Sequence, residues 1–144
     1  MNTLEQLREH SIVVADTADF HAIETFKPVD ATTNPSLILK QAQSAVTAEL
    51  ITETKLGLKA GQFASAAEAA LDLSVRFGVE IARRIDGYVS TEVDARLSFN
   101  TARSIEQAHL IVEKYQAFGI SRDRILVKLA STWEGIQAAK ALEA

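Results

Sequence analysis

Short runs rich in β-branched residues alternate along this chain with longer stretches of helical period, the pattern of β/α units wound around a parallel sheet. Four runs are short enough to be strands: Ile12 to Thr17 (IVVADT), Val29 to Asn34 (VDATTN), Tyr88 to Asp94 (YVSTEVD) and Arg124 to Ser131 (RILVKLAS). Between them the pattern predicts helices over Asp19 to Phe26, Pro35 to Gln43, a long alanine-rich region from about Ala45 to Ile85, Thr101 to Phe118, and Thr132 to Ala144. The alanine-rich region reads as two helices broken near Gly57 to Gly61. In the Thr101 to Phe118 segment Ile105, Ala108, Val112 and Tyr115 recur at three- and four-residue spacing, so one face can pack on a sheet, and Gly119 follows as a C-terminal cap. Pro35 directly after Asn34 suits a first helical turn, where a missing N–H has no partner to lose. No repeat, low-complexity tract or linker divides the chain. Four β/α units are half of an eight-fold barrel, whose usual length is ~250 residues.

Strand parity assigns the polar residues to faces. In the fourth run Ile125, Val127 and Leu129 form the side that helices should cover, which turns Leu126, Lys128 and Ala130 to the interior of a barrel. A lysine in water-poor surroundings is more readily a neutral amine and a nucleophile toward a carbonyl. The same spacing also fits an edge-strand lysine whose stem packs on the sheet while its charge reaches water. In the third run Tyr88, Ser90, Glu92 and Asp94 oppose Val89, Thr91 and Val93, and Glu92 is the natural proton carrier of the polar set, or else a solvated glutamate. Asp16 closes the first run on the face of Ile12 and Val14; Asn34 closes the second on the face of Asp30 and Thr32. Either also fits a cap or turn role. Taken together, polar groups of complementary type stand near the carboxyl ends of successive strands, where barrel enzymes place their chemistry.

Composition narrows the field. The 144 residues are 47% hydrophobic and 24% charged, which is the balance of one globular domain. The net charge of -4, with cations dispersed, offers no footprint for nucleic acid or an anionic membrane. No cysteine is present to form a disulfide, thiolate site or thiol nucleophile. Met1 to His10 lack the layout of a secretory signal, and no apolar run approaches the ~20 residues of a membrane span. A cytoplasmic location is expected. His10, His21 and His109 fall in helical segments without metal-ligand spacing and are expected at the surface or an interface, and Trp133 is expected to pack at the start of the last helix. No GxGxxG, Walker-type loop or Ser-His-Asp order occurs.

The stretches VVADT (13–17), DATTNPSLI (30–38), STEVDARLS (90–98) and RILVKLASTWEGI (124–136) resemble, in order and over nearly the whole chain, the signature stretches of bacterial transaldolases. The resemblance is loosest from about Ala42 to Leu73. It implies an α/β fold of the (β/α)8 TIM barrel family, with residues 1–144 as its amino-terminal half, present as the first four β/α units of a single truncated domain. It also implies a metal-free, cofactor-free enzyme that moves a dihydroxyacetone unit from sedoheptulose 7-phosphate or fructose 6-phosphate to an aldose phosphate. Carried onto matching positions, Lys128 forms the Schiff base at C2, Asp16 exchanges the proton of the C4 hydroxyl, and Glu92 shuttles protons through a water. Asn34, Ser90 and Thr32 would bind the substrate.

Two departures from that family pattern stand out. Ala18 replaces the glycine usual after VADT. The second-half residues that bind substrate phosphate and complete the water site have no counterpart here. An open half-barrel is expected to be unstable alone, to aggregate, or to pair as a homodimer. Two rival readings remain: a fructose 6-phosphate aldolase, which releases dihydroxyacetone instead of transferring it, and a non-catalytic truncated product.

Overall fold

The computed structural model describes residues 2–144. Its sheet has four strands in the order β1-β2-β3-β4, all parallel: β1 (Val14–Asp16), β2 (Asp30–Thr32), β3 (Val89–Glu92) and β4 (Ile125–Lys128). Every strand is shorter than the apolar run that predicted it, because ladder pairing ends where the chain turns into the next helix. Among the described residues seven α-helices accompany the strands: α1 (Thr3–His10), α2 (Phe20–Phe26), α3 (Pro35–Gln41), α4 (Ala48–Lys59), α5 (Ala66–Ala82), α6 (Thr101–Ala117) and α7 (Trp133–Leu142).

Local chemistry explains most boundaries. Asp19, Asn34, Ser65, Asn100 and Thr132 each accept a backbone N–H from the first turn of the helix that follows, which satisfies donors no helical carbonyl can reach. Pro35 occupies the first turn of α3, as its spacing predicts. Gly119 adopts φ 80° and lets the Ile120 N–H return to the Tyr115 carbonyl at 3.1 Å, closing α6 as expected. The alanine-rich region breaks into two helices as expected: Gly57 is buried inside α4, which ends at Lys59, and the chain turns at Gly61, whose φ is 73°.

The core fills the space between the sheet and α5 and α6. Val89, Thr91 and Val93 of the β3 segment are buried against Val75, Phe77, Ile81, Ile111 and Tyr115. The buried stripe of α6 is Ser104, Ala108, Ile111 and Tyr115, so Ile105 and Val112 flank it instead of forming it. Under β3, the Tyr115 hydroxyl meets Thr91 Oγ1 at 2.6 Å, and burial pushes that phenol up to about 12. Gly78 makes the close approach possible, since a Cβ there would stand 1.6 Å from the Tyr115 hydroxyl oxygen. At the amino end of the sheet the Arg124 guanidinium donates to the carbonyls of Ala82, Ile85 and Gly87 and ties β4 to the loop before β3.

The opposite face of the sheet carries no helix. Val14 and Leu126 are half exposed on it, as is Tyr88 just before β3. Trp133, expected to pack, is 73% exposed: it stands on the outward side of the first turn of α7, where Gly135 instead takes the close contact with the Ala130 carbonyl. His10, His21 and His109 are all exposed.

Candidate active site

The bare face of the sheet collects the polar residues singled out by parity. Asp16, Thr32 and Ser90 are consecutive partners across β1, β2 and β3, with Leu126 next in the row. One step toward the carboxyl end, Glu92 and Lys128 are partners across β3 and β4. Adjacent Cβ atoms of aligned partners project to the same side, so all of these side chains share the uncovered face. Asn34 lies two residues beyond Thr32 on the same side.

Lys128 and Glu92 come together: Nζ stands 3.6 Å from Oε2, with the side chains 38% and 32% exposed. Lys128 Nζ also donates to the main-chain carbonyl of Thr33 at 3.0 Å. Nothing in the sequence flagged Thr33, because its side chain belongs to the helix-covered face and a carbonyl carries no signature. The water-poor surroundings expected for Lys128 are absent, since the face is open and over a third of the side chain meets solvent.

Asn34 Oδ1 caps α3 by accepting the Leu37 N–H at 3.0 Å, a bond that does not use its amide N–H2. The cap and binding readings of Asn34 are therefore compatible. Ser90 is 5% exposed, and its Oγ is a buried side-chain oxygen with no hydrogen-bond partner. An unsatisfied buried hydroxyl costs ~1–3 kcal/mol and marks a place where a partner belongs. Asp16, on the edge strand, is exposed and lies three strands from Lys128, about 14 Å across the sheet. A cleft of about 660 Å³ lies between the amino-terminal turns of α5 and α6, with Leu71, Asp94 and Arg103 in its lining; Glu92 reaches it and Lys128 does not. Among the described residues no group of three or more His, Cys, Asp or Glu side chains is placed to hold a metal ion.

Parallel β/α units that gather their polar side chains on one face at the carboxyl ends of the strands define a segment of a β/α barrel. Comparison with known proteins identifies which barrel. Residues 13–144 match the family described as Transaldolase/Fructose-6-phosphate aldolase, and the chain belongs to that family. It is 52% identical to the transaldolase of Methylococcus capsulatus over 99% of this chain and 45% of that protein. It is 53% identical to the transaldolase of Homo sapiens, across 99% of this chain and 43% of that one, and 53% identical to that of Nostoc punctiforme, across 99% and 44%. The chain thus spans under half the length of these relatives.

Proposed function

We propose that this chain carries the imine-forming half of a transaldolase site, with Lys128 as the nucleophile. The observation that supports the reading most directly is the Lys128–Glu92 pair, an amine and a proton carrier 3.6 Å apart on the uncovered face. Family membership supplies the chemistry such a pair would serve.

In this reading Lys128 Nζ attacks the C2 carbonyl of a ketose phosphate such as fructose 6-phosphate or sedoheptulose 7-phosphate. Glu92, working through a water, moves the protons that convert the carbinolamine to an imine and expel hydroxide as water. Asp16 removes the C4 hydroxyl proton, the C3–C4 bond breaks, and its electron pair passes into the protonated imine to give an enamine. The aldose leaves. An acceptor aldose phosphate is then attacked by the enamine carbon, Asp16 returns its proton, and hydrolysis frees Lys128. Asn34, Thr32 and Ser90 hold hydroxyls of the bound three-carbon unit; the unpartnered Ser90 Oγ supports such a contact. The setting of the reaction is the pentose phosphate pathway in the cytoplasm.

The chain's own assembly belongs to the same reading: two copies pair so that each closes the other's uncovered face.

Borohydride trapping tests the reading. The purified chain is incubated with fructose 6-phosphate, reduced, and mapped by peptide mass. The expected result is a reduced three-carbon adduct on Lys128, absent from Lys128→Met. A folded chain that gives no adduct overturns the assignment. Release of free dihydroxyacetone without an acceptor aldose would assign the chemistry to an aldolase.

A further inference from the structure

We propose that Thr33 is a positioning residue for Lys128: its side-chain hydroxyl fixes the end of β2 to β3, and its main-chain carbonyl, so held, parks the Lys128 ammonium across β3. The inference rests on the reading of Lys128 as nucleophile.

Thr33 lies one residue past the last β2–β3 ladder pair, Thr32 with Ser90. At that point the chain is about to leave the sheet for α3, and ladder pairing no longer sets the direction of its carbonyl. The hydroxyl does so instead: Thr33 Oγ1 is buried and donates to the Ser90 carbonyl at 3.1 Å. One small side chain therefore bolts β2 to β3 from the helix side, while its own carbonyl accepts from Lys128 at 3.0 Å.

The path of Lys128 follows from the sheet order. β3 separates β4 from β2, and neighbouring strands stand about 4.8 Å apart. Two strand intervals, about 9.6 Å, are more than the stem alone covers, so the lysine has to extend across β3 and reaches Thr33 through the 3.0 Å hydrogen bond at its tip. The side chain is held at its far end by the Thr33 carbonyl and flanked by the Glu92 carboxylate. Ser90, on the same face of β3, has its Oγ buried and unpartnered.

Proton counting gives the arrangement its meaning. An ammonium has three donors and can serve both acceptors, whereas a protonated imine has one N–H and can serve at most one. Imine formation therefore has to release the Thr33 carbonyl, the Glu92 carboxylate, or both. The parked state holds the amine in place until substrate arrives. Release leaves Glu92 free to exchange protons, and the space the stem occupied becomes available to a substrate hydroxyl that can satisfy Ser90.

The test needs no sugar and so does not depend on turnover. Lysines are reductively methylated with formaldehyde and cyanoborohydride, and the rate at each is read by peptide mass, with Lys114, held by Asp72 at 2.9 Å, as the internal standard for general loosening. In Thr33→Val, Lys128 should be labelled about fivefold faster, the factor of one typical hydrogen bond, with Lys114 unchanged. Thr33→Ser, which keeps the hydroxyl, should restore the original rate. An unchanged Lys128 rate in Thr33→Val, or equal acceleration at Lys128 and Lys114, overturns the proposal. Should Thr33→Val not fold, Glu92→Gln decides: Lys128 stays slow if the Thr33 carbonyl holds it, and an acceleration to the rate of the exposed lysines overturns the proposal. A chain that shows the parked lysine and yet traps no ketose would refute the catalytic reading alone.

Discussion

At the scale of single residues, Glu92 separates binding from proton transfer. Its pair with Lys128 is more than a third exposed on the lysine side and 3.6 Å long, geometry in which an ion pair contributes about 0–1 kcal/mol. Glu92→Gln keeps the shape and removes the charge, so its melting temperature should stay close to that of the parent chain. Imine formation, read by the rate of borohydride trapping, should fall about 10²- to 10⁴-fold, the usual contribution of a positioned acid–base group. A trapping rate that survives the change would remove Glu92 from the mechanism. Parity alone carried Lys128, Glu92, Ser90, Thr32, Asn34 and Asp16 to one face, and the register bears that out for all but Asn34, which lies past the last ladder pair of β2. Parity had no means of finding Thr33, whose contribution is a backbone oxygen and a hydroxyl aimed along the sheet instead of away from it. The choice of Lys128 over an ordinary edge lysine came from family resemblance, since its partial exposure is what an edge lysine would also show.

Between elements, the strongest electrostatic tie lies behind the sheet. Asp72 of α5 is buried and receives Arg76 Nε at 2.7 Å and Lys114 Nζ, from α6, at 2.9 Å; Arg76 continues to Glu53 of α4 at 3.0 Å. Burial pushes the Asp72 carboxyl up, but the hydrogen bonds and positive charges of Arg76 and Lys114 outweigh it and hold the group below the usual carboxylate range. A carboxyl depressed in the folded state contributes stability that is fully present above its unfolded value, near 3.8, and is lost as pH falls through the folded value. Asp72→Asn should therefore be less stable than the parent by about 2 kcal/mol at neutral pH. In urea titrations at successive pH values the gap should close only below pH 3.8; a gap constant down to pH 3 would mean the tie is packing and not charge. The sequence pattern located α5 and α6 well, through capping residues and apolar period. It could not foresee this tie, because Asp72 and Lys114 are 42 positions apart and each alone looks like a solvated charge.

On the scale of the whole molecule, the described residues leave one face of the sheet uncovered. The chain exposes 8809 Å², whereas a compact monomer of 15.7 kDa exposes about 7,300 Å². The excess, about 1,500 Å², exceeds the ~800 Å² that each partner gives to a standard interface. Half-barrel character was legible from the count of β/α units. The two unpaired edges follow from the sheet order, which leaves β1 and β4 outermost. A two-fold axis along the strands would keep every strand parallel and lay β4 of one copy beside β1 of the other at both seams, giving the eight strands of a closed barrel. Light scattering during size-exclusion chromatography should give twice the mass of one chain, and Leu126→Glu, which places a charge in the closed interior, should lower it to the mass of one. A cooperatively melting monomer, or an unbounded aggregate, would overturn the pairing and leave the uncovered face to a partner other than a second copy.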